Sequence, residues 1–91
     1  MVREKLLDMI TLHEGLELKP YKCTSDKLTI GIGRNIEDIG ITEEEARYLL
    51  QNDVDRILKE VEHWTFLEKL NDVRQAVILD MVFNMGVSRF N

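Results

Sequence analysis

HEGLELKPYKCTSDKLTIGIGR, residues 13–34, decides how the rest of the chain is read. It opens on a lone carboxylate, Glu14, followed at once by Gly15, and closes on Thr29-Ile30-Gly31-Ile32-Gly33 and Arg34. Pro20, the single cysteine Cys23 and the polar run Thr24-Ser25-Asp26 lie between them. Leu16 and Leu18 alternate with polar neighbours, as a half-exposed strand does. Pro20 has no N–H for a ladder and belongs at a sheet edge. Thr24-Ser25-Asp26 is turn chemistry. Leu28-Thr29-Ile30 reads as a second strand, with Ile32 opening a third. Gly31 and Gly33 leave room for another backbone, or a substrate, to come close. The Gly-x-Gly is no dinucleotide fingerprint, because it lacks the third glycine and the following helix.

Upstream, residues 2–13 form an amphipathic pattern in which Val2, Leu6, Met9 and Ile10 share a helix face. Gly15 is placed to end that helix, since the residue after a C-cap commonly takes a positive φ. Glu14 then stands at the carbonyl end of the helix, which disfavours an ionised carboxylate and suits a general acid. A surface glutamate following a helix is the plainer reading of the same position. A carboxyl set against a short hairpin fits acid–base work on a sugar bond better than it fits packing.

Downstream, Thr42 with Glu45 makes a capping box, so a helix is predicted from Glu43. Ala46, Leu49, Leu50, Val54, Ile57, Leu58 and Val61 keep helical spacing behind it. His63-Trp64-Thr65 breaks the pattern, and a short helical piece follows near Phe66 and Leu70. Asn71 can cap a last helix, with Asp72 in its first turn. Residues 73–85, VRQAVILDMVFNM, are apolar nearly all round, which predicts a central helix buried on most sides and ended by Gly86. The fold class is α+β: a short antiparallel hairpin or sheet with helices around it, one long connecting helix and one buried helix.

Ninety-one residues predict a single domain over 1–91 with a modest core. A formal charge of −5 disfavours nucleic acid, whose phosphates are met by clustered Lys and Arg. No apolar run approaches the ~20 residues of a membrane span. Arg3, Glu4, Lys5 and Asp8 interrupt any secretory signal, so the chain reads as made in a cytoplasm. One cysteine allows no internal disulfide, and no Cys/His set has metal spacing; neither metal nor cofactor is expected. His13 and His63 read as surface residues, and Trp64 beside Phe66 as sealing a helix corner.

The opening stretch resembles the phage-type lysozymes, the endolysin family of glycoside hydrolases. Their pattern is Glu, eight residues, Asp or Cys, five residues, Thr, then Ile-Gly-x-Gly; here it reads Glu14, Cys23, Thr29, Ile30, Gly31 and Gly33. The segment ITEEEARYLLQNDVDRILKEV resembles the long helix joining the two lobes of these enzymes. Val82-Phe83-Asn84-Met85-Gly86 resembles their Val-Phe-x-Met-Gly. The resemblance implies a lysozyme-like fold and hydrolysis of the β-1,4 bond from N-acetylmuramic acid to N-acetylglucosamine in peptidoglycan. On it, Glu14 matches the general acid, Cys23 the second catalytic position and Thr29 a residue that places water. Phe83, Asn84 and Gly31 match positions lining the substrate cleft.

Three features depart from the pattern. Cys23 stands where many relatives have Asp. A thiol has a reference pKa of roughly 8.5 and cannot act as a base at neutral pH unless that value falls. Asp26 is an alternative carboxylate, and a small buried hydrophobe is an alternative role for Cys23. Arg34 stands where many relatives have His; Asp53 is its candidate ion-pair partner. Finally, the family continues past Arg89-Phe90-Asn91 into a second lobe, so residues 1–91 read as the front part of a lysozyme with that lobe largely missing. The apolar faces left uncovered predict self-association, and the open cleft predicts weak or absent lysis by this chain alone. The rival expectation is a non-catalytic remnant of the fold that serves as a binding module.

Overall fold

The computed structural model describes residues 2–86. The chain divides into two compact units, Met1–Thr42 and Glu43–Asn91. The described residues form three α-helices and a three-stranded antiparallel sheet, an α+β fold.

The first unit opens with α1, Val2–Glu14. Gly15 ends it at φ 71°, and its N–H donates to the Thr11 carbonyl at 3.0 Å. That single bond is the left-handed C-cap predicted from the sequence, and it leaves Glu14 as the last helical residue. No residue of α1 is buried; Val2, Leu6, Met9 and Ile10 all stay exposed. The first unit therefore supplies no cover for the helix's apolar face.

The strands are β1 (Glu17–Lys22), β2 (Leu28–Gly31) and β3 (Arg34–Asn35), in spatial order β1-β2-β3. Tyr21 pairs with Thr29 and Lys22 with Leu28, while Glu17 pairs with Gly31 across an irregularity. Pro20 lies inside that irregularity, on an edge strand, where its missing N–H breaks no ladder bond. The β1–β2 connection is a tight turn in which the Asp26 N–H donates to the Cys23 carbonyl at 2.8 Å. The Cys23 N–H donates to the Lys27 carbonyl at 3.0 Å, and Asp26 takes φ 60°. A three-residue hairpin loop ends in such a left-handed residue, and Asp tolerates it better than most. Between β2 and β3, Gly31 and Gly33 both adopt φ 74° and reverse the chain around Ile32. The third strand accordingly starts at Arg34 rather than at Ile32.

The segment after β3 turns back onto β2. The Ile36 and Glu37 N–H groups both donate to the Leu28 carbonyl, at 3.0 and 3.2 Å. The Asp38 N–H is capped by Asn35 Oδ1 at 3.1 Å.

The second unit contains α2 (Glu43–Glu60), a 3₁₀ turn (Thr65–Lys69) and α3 (Asp72–Met85). The start of α2 at Glu43 is the predicted one. Asn71 caps α3 by accepting from the Arg74 N–H at 2.9 Å, and Gly86 ends it at φ 82°. Ile57, Val61 and Val82 form the buried cluster, with Trp64, Leu67 and Leu79 packed against it. Trp64 stacks on Phe66 at 5.9 Å, consistent with a helix-corner role. Gln75 ties α3 to the 3₁₀ turn: its Nε2 donates to the Leu67 and Leu70 carbonyls at 2.7 and 3.0 Å. Losing such a pair from a partly buried site costs on the order of 1–3 kcal/mol.

Burial of α3 is narrower than its composition predicts. Only Val82 is buried, and Ile78 and Leu79 are half-buried. The helix packs one face on α2 and the 3₁₀ turn. The opposite stripe, Val73, Val77 and Met81, stays exposed, because no other element among the described residues of the second unit covers it. Residues 87–91, including Arg89-Phe90-Asn91, lie outside the described residues.

Candidate functional site

The chemistry-bearing side chains of the first unit gather on the small sheet. Glu14 ends α1 and lies across the β2–β3 turn. A methyl group built on Gly33 would stand 2.9 Å from Glu14 Cγ, Cδ and Oε2. Only glycine fits there: its φ of 74° suits no other residue well, and its bare Cα lets the carboxyl come close. Gly31 shares the positive φ but has open space where a side chain would be. The close approach therefore belongs to Gly33.

Cys23 and Thr29 meet at the other hairpin. Cys23 is half-buried and free, so it is neither a dry core residue nor a disulfide partner. Its thiol receives hydrogen bonds from the Lys27 backbone, then the Ser25 backbone, then the Thr29 side chain, and these hold its pKa below the usual thiol value. Desolvation pushes the other way and is outweighed. The physical cause is the tight turn, which bends backbone amides toward the sulfur. Donors aimed at a charged form stabilise that form. The shift has the direction that a Cys in place of a carboxylate requires.

Thr29 is 3% exposed, the one buried polar side chain among the described residues. Its hydroxyl donates to the Lys27 carbonyl at 2.9 Å. The same carbonyl accepts the Cys23 N–H at 3.0 Å. A hydroxyl has one proton and two lone pairs. With the proton on the Lys27 carbonyl, Thr29 can accept from a water; with the proton turned to the sulfur, it stabilises the thiolate.

The remaining candidates lie elsewhere. Asp26 is an exposed turn residue held at φ 60°, fixed by the loop rather than aimed by it. Arg34 Nη1 donates to the Gly40 carbonyl at 3.1 Å, and Asp53 pairs with Arg56 at 3.4 Å on α2. In the second unit, Phe83 lines an apolar hollow of about 270 Å³ with Leu50, Val54, Ile57, Leu79 and Asp80. Asn84 donates back to the Asp80 carbonyl of its own helix at 3.0 Å.

Two participants escaped the sequence reading. Lys27 contributes through its backbone, which no residue type advertises. Glu37 holds the Leu28 N–H at 3.1 Å and pairs with Lys22 and Lys27 at 3.5 and 3.6 Å. The one available signal was the Glu37-Asp38 pair facing Lys22 and Lys27 in charge, at separations that carry no helical or strand period.

Comparison with known proteins bears on the whole arrangement. The family model described as phage lysozyme matches residues 11–91. An endolysin of Acyrthosiphon pisum secondary endosymbiont phage 1 is 32% identical over 93 aligned residues, covering 98% of this chain. The chain spans 62% of that relative's length.

The lowered thiol pKa sets a pH expectation. Thiolate absorbance in the ultraviolet should rise with a midpoint below that of the same cysteine in the unfolded chain. The folded value is depressed, so the linked stability is fully present above the unfolded value and is lost as pH falls through the folded one. Urea midpoints of the wild type relative to Cys23→Ser should therefore climb between those two values. A flat difference across that window would show that the turn does not favour the thiolate.

Proposed function

This chain belongs to the phage lysozyme family, and from that premise we propose that it hydrolyses the β-1,4 bond between N-acetylmuramic acid and N-acetylglucosamine in peptidoglycan. Glu14 gives its proton to the glycosidic oxygen as the bond from that oxygen to the sugar's anomeric carbon breaks. A water held by Cys23 and Thr29 adds to that carbon, and the Cys23 thiolate takes the proton the water sheds. Phe83, Asn84 and Gly31 serve as substrate-contacting positions. The protein acts on the bacterial wall.

The observation that supports this reading best is the placement of both reactive groups on one small sheet. Glu14 lies across Gly33, and the adjacent hairpin holds Cys23 against Thr29. General acids and bases contribute only where geometry holds them and their protonation suits the step.

A second reading, a non-catalytic member of the family that acts by association, is favoured by the exposed apolar faces. Val2, Leu6, Met9 and Ile10 on α1 and Val73, Val77 and Met81 on α3 are uncovered. Soluble monomers seldom leave apolar patches beyond a few hundred Å². We propose that two chains pair through these faces, as closed two-fold dimers commonly do.

Two measurements separate the readings. Turbidity of stripped bacterial cells should fall with wild-type protein and not with Glu14→Gln. Cys23→Asp should keep or raise the rate, and Cys23→Ala should lower it by roughly 10²-fold or more, the scale of a lost general base. Equal rates for wild type and Glu14→Gln would remove the hydrolytic reading. Sedimentation at micromolar concentration should show a dimer, with Val77→Glu shifting it to monomer. A wild-type monomer at that concentration would end the pairing proposal.

A further inference from the structure

Lys27 is the point through which the first unit's candidate site is held, and Glu37 is what holds Lys27. The Lys27 backbone donates to the Cys23 thiol, and its carbonyl accepts both the Cys23 N–H and the Thr29 hydroxyl. The hairpin thus holds that peptide through its carbonyl side. The segment after β3 holds its amide side. Glu37 Oε1 accepts the Leu28 N–H at 3.1 Å, across the peptide bond that carries the Lys27 carbonyl. The Leu28 carbonyl is held in turn by the Ile36 and Glu37 N–H groups. Glu37 Oε2 lies 3.6 Å from Lys27 Nζ, and Asp38 Oδ1 lies 3.4 Å from the same ammonium. One carboxylate thus grips the Lys27–Leu28 peptide from its amide side and from its side chain.

We propose that Glu37 is a positioning residue for the Cys23–Thr29 pair: by accepting the Leu28 N–H it orients the Lys27–Leu28 peptide, whose carbonyl anchors Thr29 and Cys23. This deepens the hydrolytic reading and rests on it for its functional meaning. The acceptor oxygen matters more than the charge. Lys22, Lys27, Glu37 and Asp38 are all substantially exposed, and exposed ion pairs contribute little in water. An N–H held by a carboxylate oxygen is a directional bond that sets the peptide plane.

The test compares Glu37→Gln, which keeps an oxygen acceptor, with Glu37→Met, which has none; both remove the Glu37 charge from Lys22 and Lys27 alike and leave the Lys27–Asp38 pair in place. In the purified full chain, Cys23 alkylation by iodoacetamide at neutral pH should be at least threefold slower in Glu37→Met than in Glu37→Gln. Exchange of the Leu28 amide should be at least tenfold faster in Glu37→Met. Alkylation rates within threefold of one another, or equal Leu28 exchange, would overturn the proposal. Glu37→Ala replaces Glu37→Met if the latter does not fold, with the same outcomes. The thiol and amide readouts need no lytic activity. A wild type that fails to clear cells therefore counts against the hydrolytic reading alone, while the alkylation ratio decides the role of Glu37.

Discussion

One carbonyl carries the candidate site. The Lys27 oxygen accepts the Cys23 N–H at 3.0 Å, which closes the β1–β2 turn. It also accepts the Thr29 hydroxyl at 2.9 Å, which satisfies the buried polar side chain of the sheet. A buried hydroxyl without a partner costs on the order of 1–3 kcal/mol, so Thr29 can sit inside only because this oxygen faces it. The closure of the turn and the burial of Thr29 both depend on this one carbonyl. The donors around the Cys23 sulfur, the Lys27 and Ser25 backbone amides and the Thr29 hydroxyl, are other groups of the same hairpin, and they hold the thiol pKa below its usual value.

Glu14 reaches the same sheet by an independent route. The C-cap at Gly15 stops α1 within one residue of the carboxylate, and the bare Cα of Gly33 admits the side chain. Both glycines use a positive φ, and each would strain any other residue by roughly 1–2 kcal/mol. The two reactive groups thus depend on backbone geometry rather than on a large core. Among the described residues of the second unit the buried cluster is small: Ile57, Val61 and Val82.

What the sequence disclosed follows from the range of the forces involved. Helix limits were legible because they are set locally: Gly15 and Gly86 as stops, Asn71 as a cap, Glu43 as a start. The spacing of Glu14, Cys23 and Thr29 was legible because motif spacing survives without coordinates. The third strand was misplaced by two residues, since Ile32 looks strand-like and the left-handed flanking glycines override it. The burial of α3 was overestimated because composition reports how apolar a helix is, not how many neighbours it has. Backbone groups were invisible: the Lys27 carbonyl belongs to a residue whose side chain suggests only a surface charge. Glu37 was missed for a related reason, because its partner is the Leu28 amide nine positions away.

The most direct measurement is the thiol titration of Thr29→Val, which keeps the shape of the side chain and removes its hydroxyl. If the Thr29 hydroxyl is one of the donors that set the state of Cys23, the thiolate midpoint rises toward that of free cysteine relative to wild type. A midpoint unchanged by the substitution in a folded protein would contradict the coupling on which the candidate site is built.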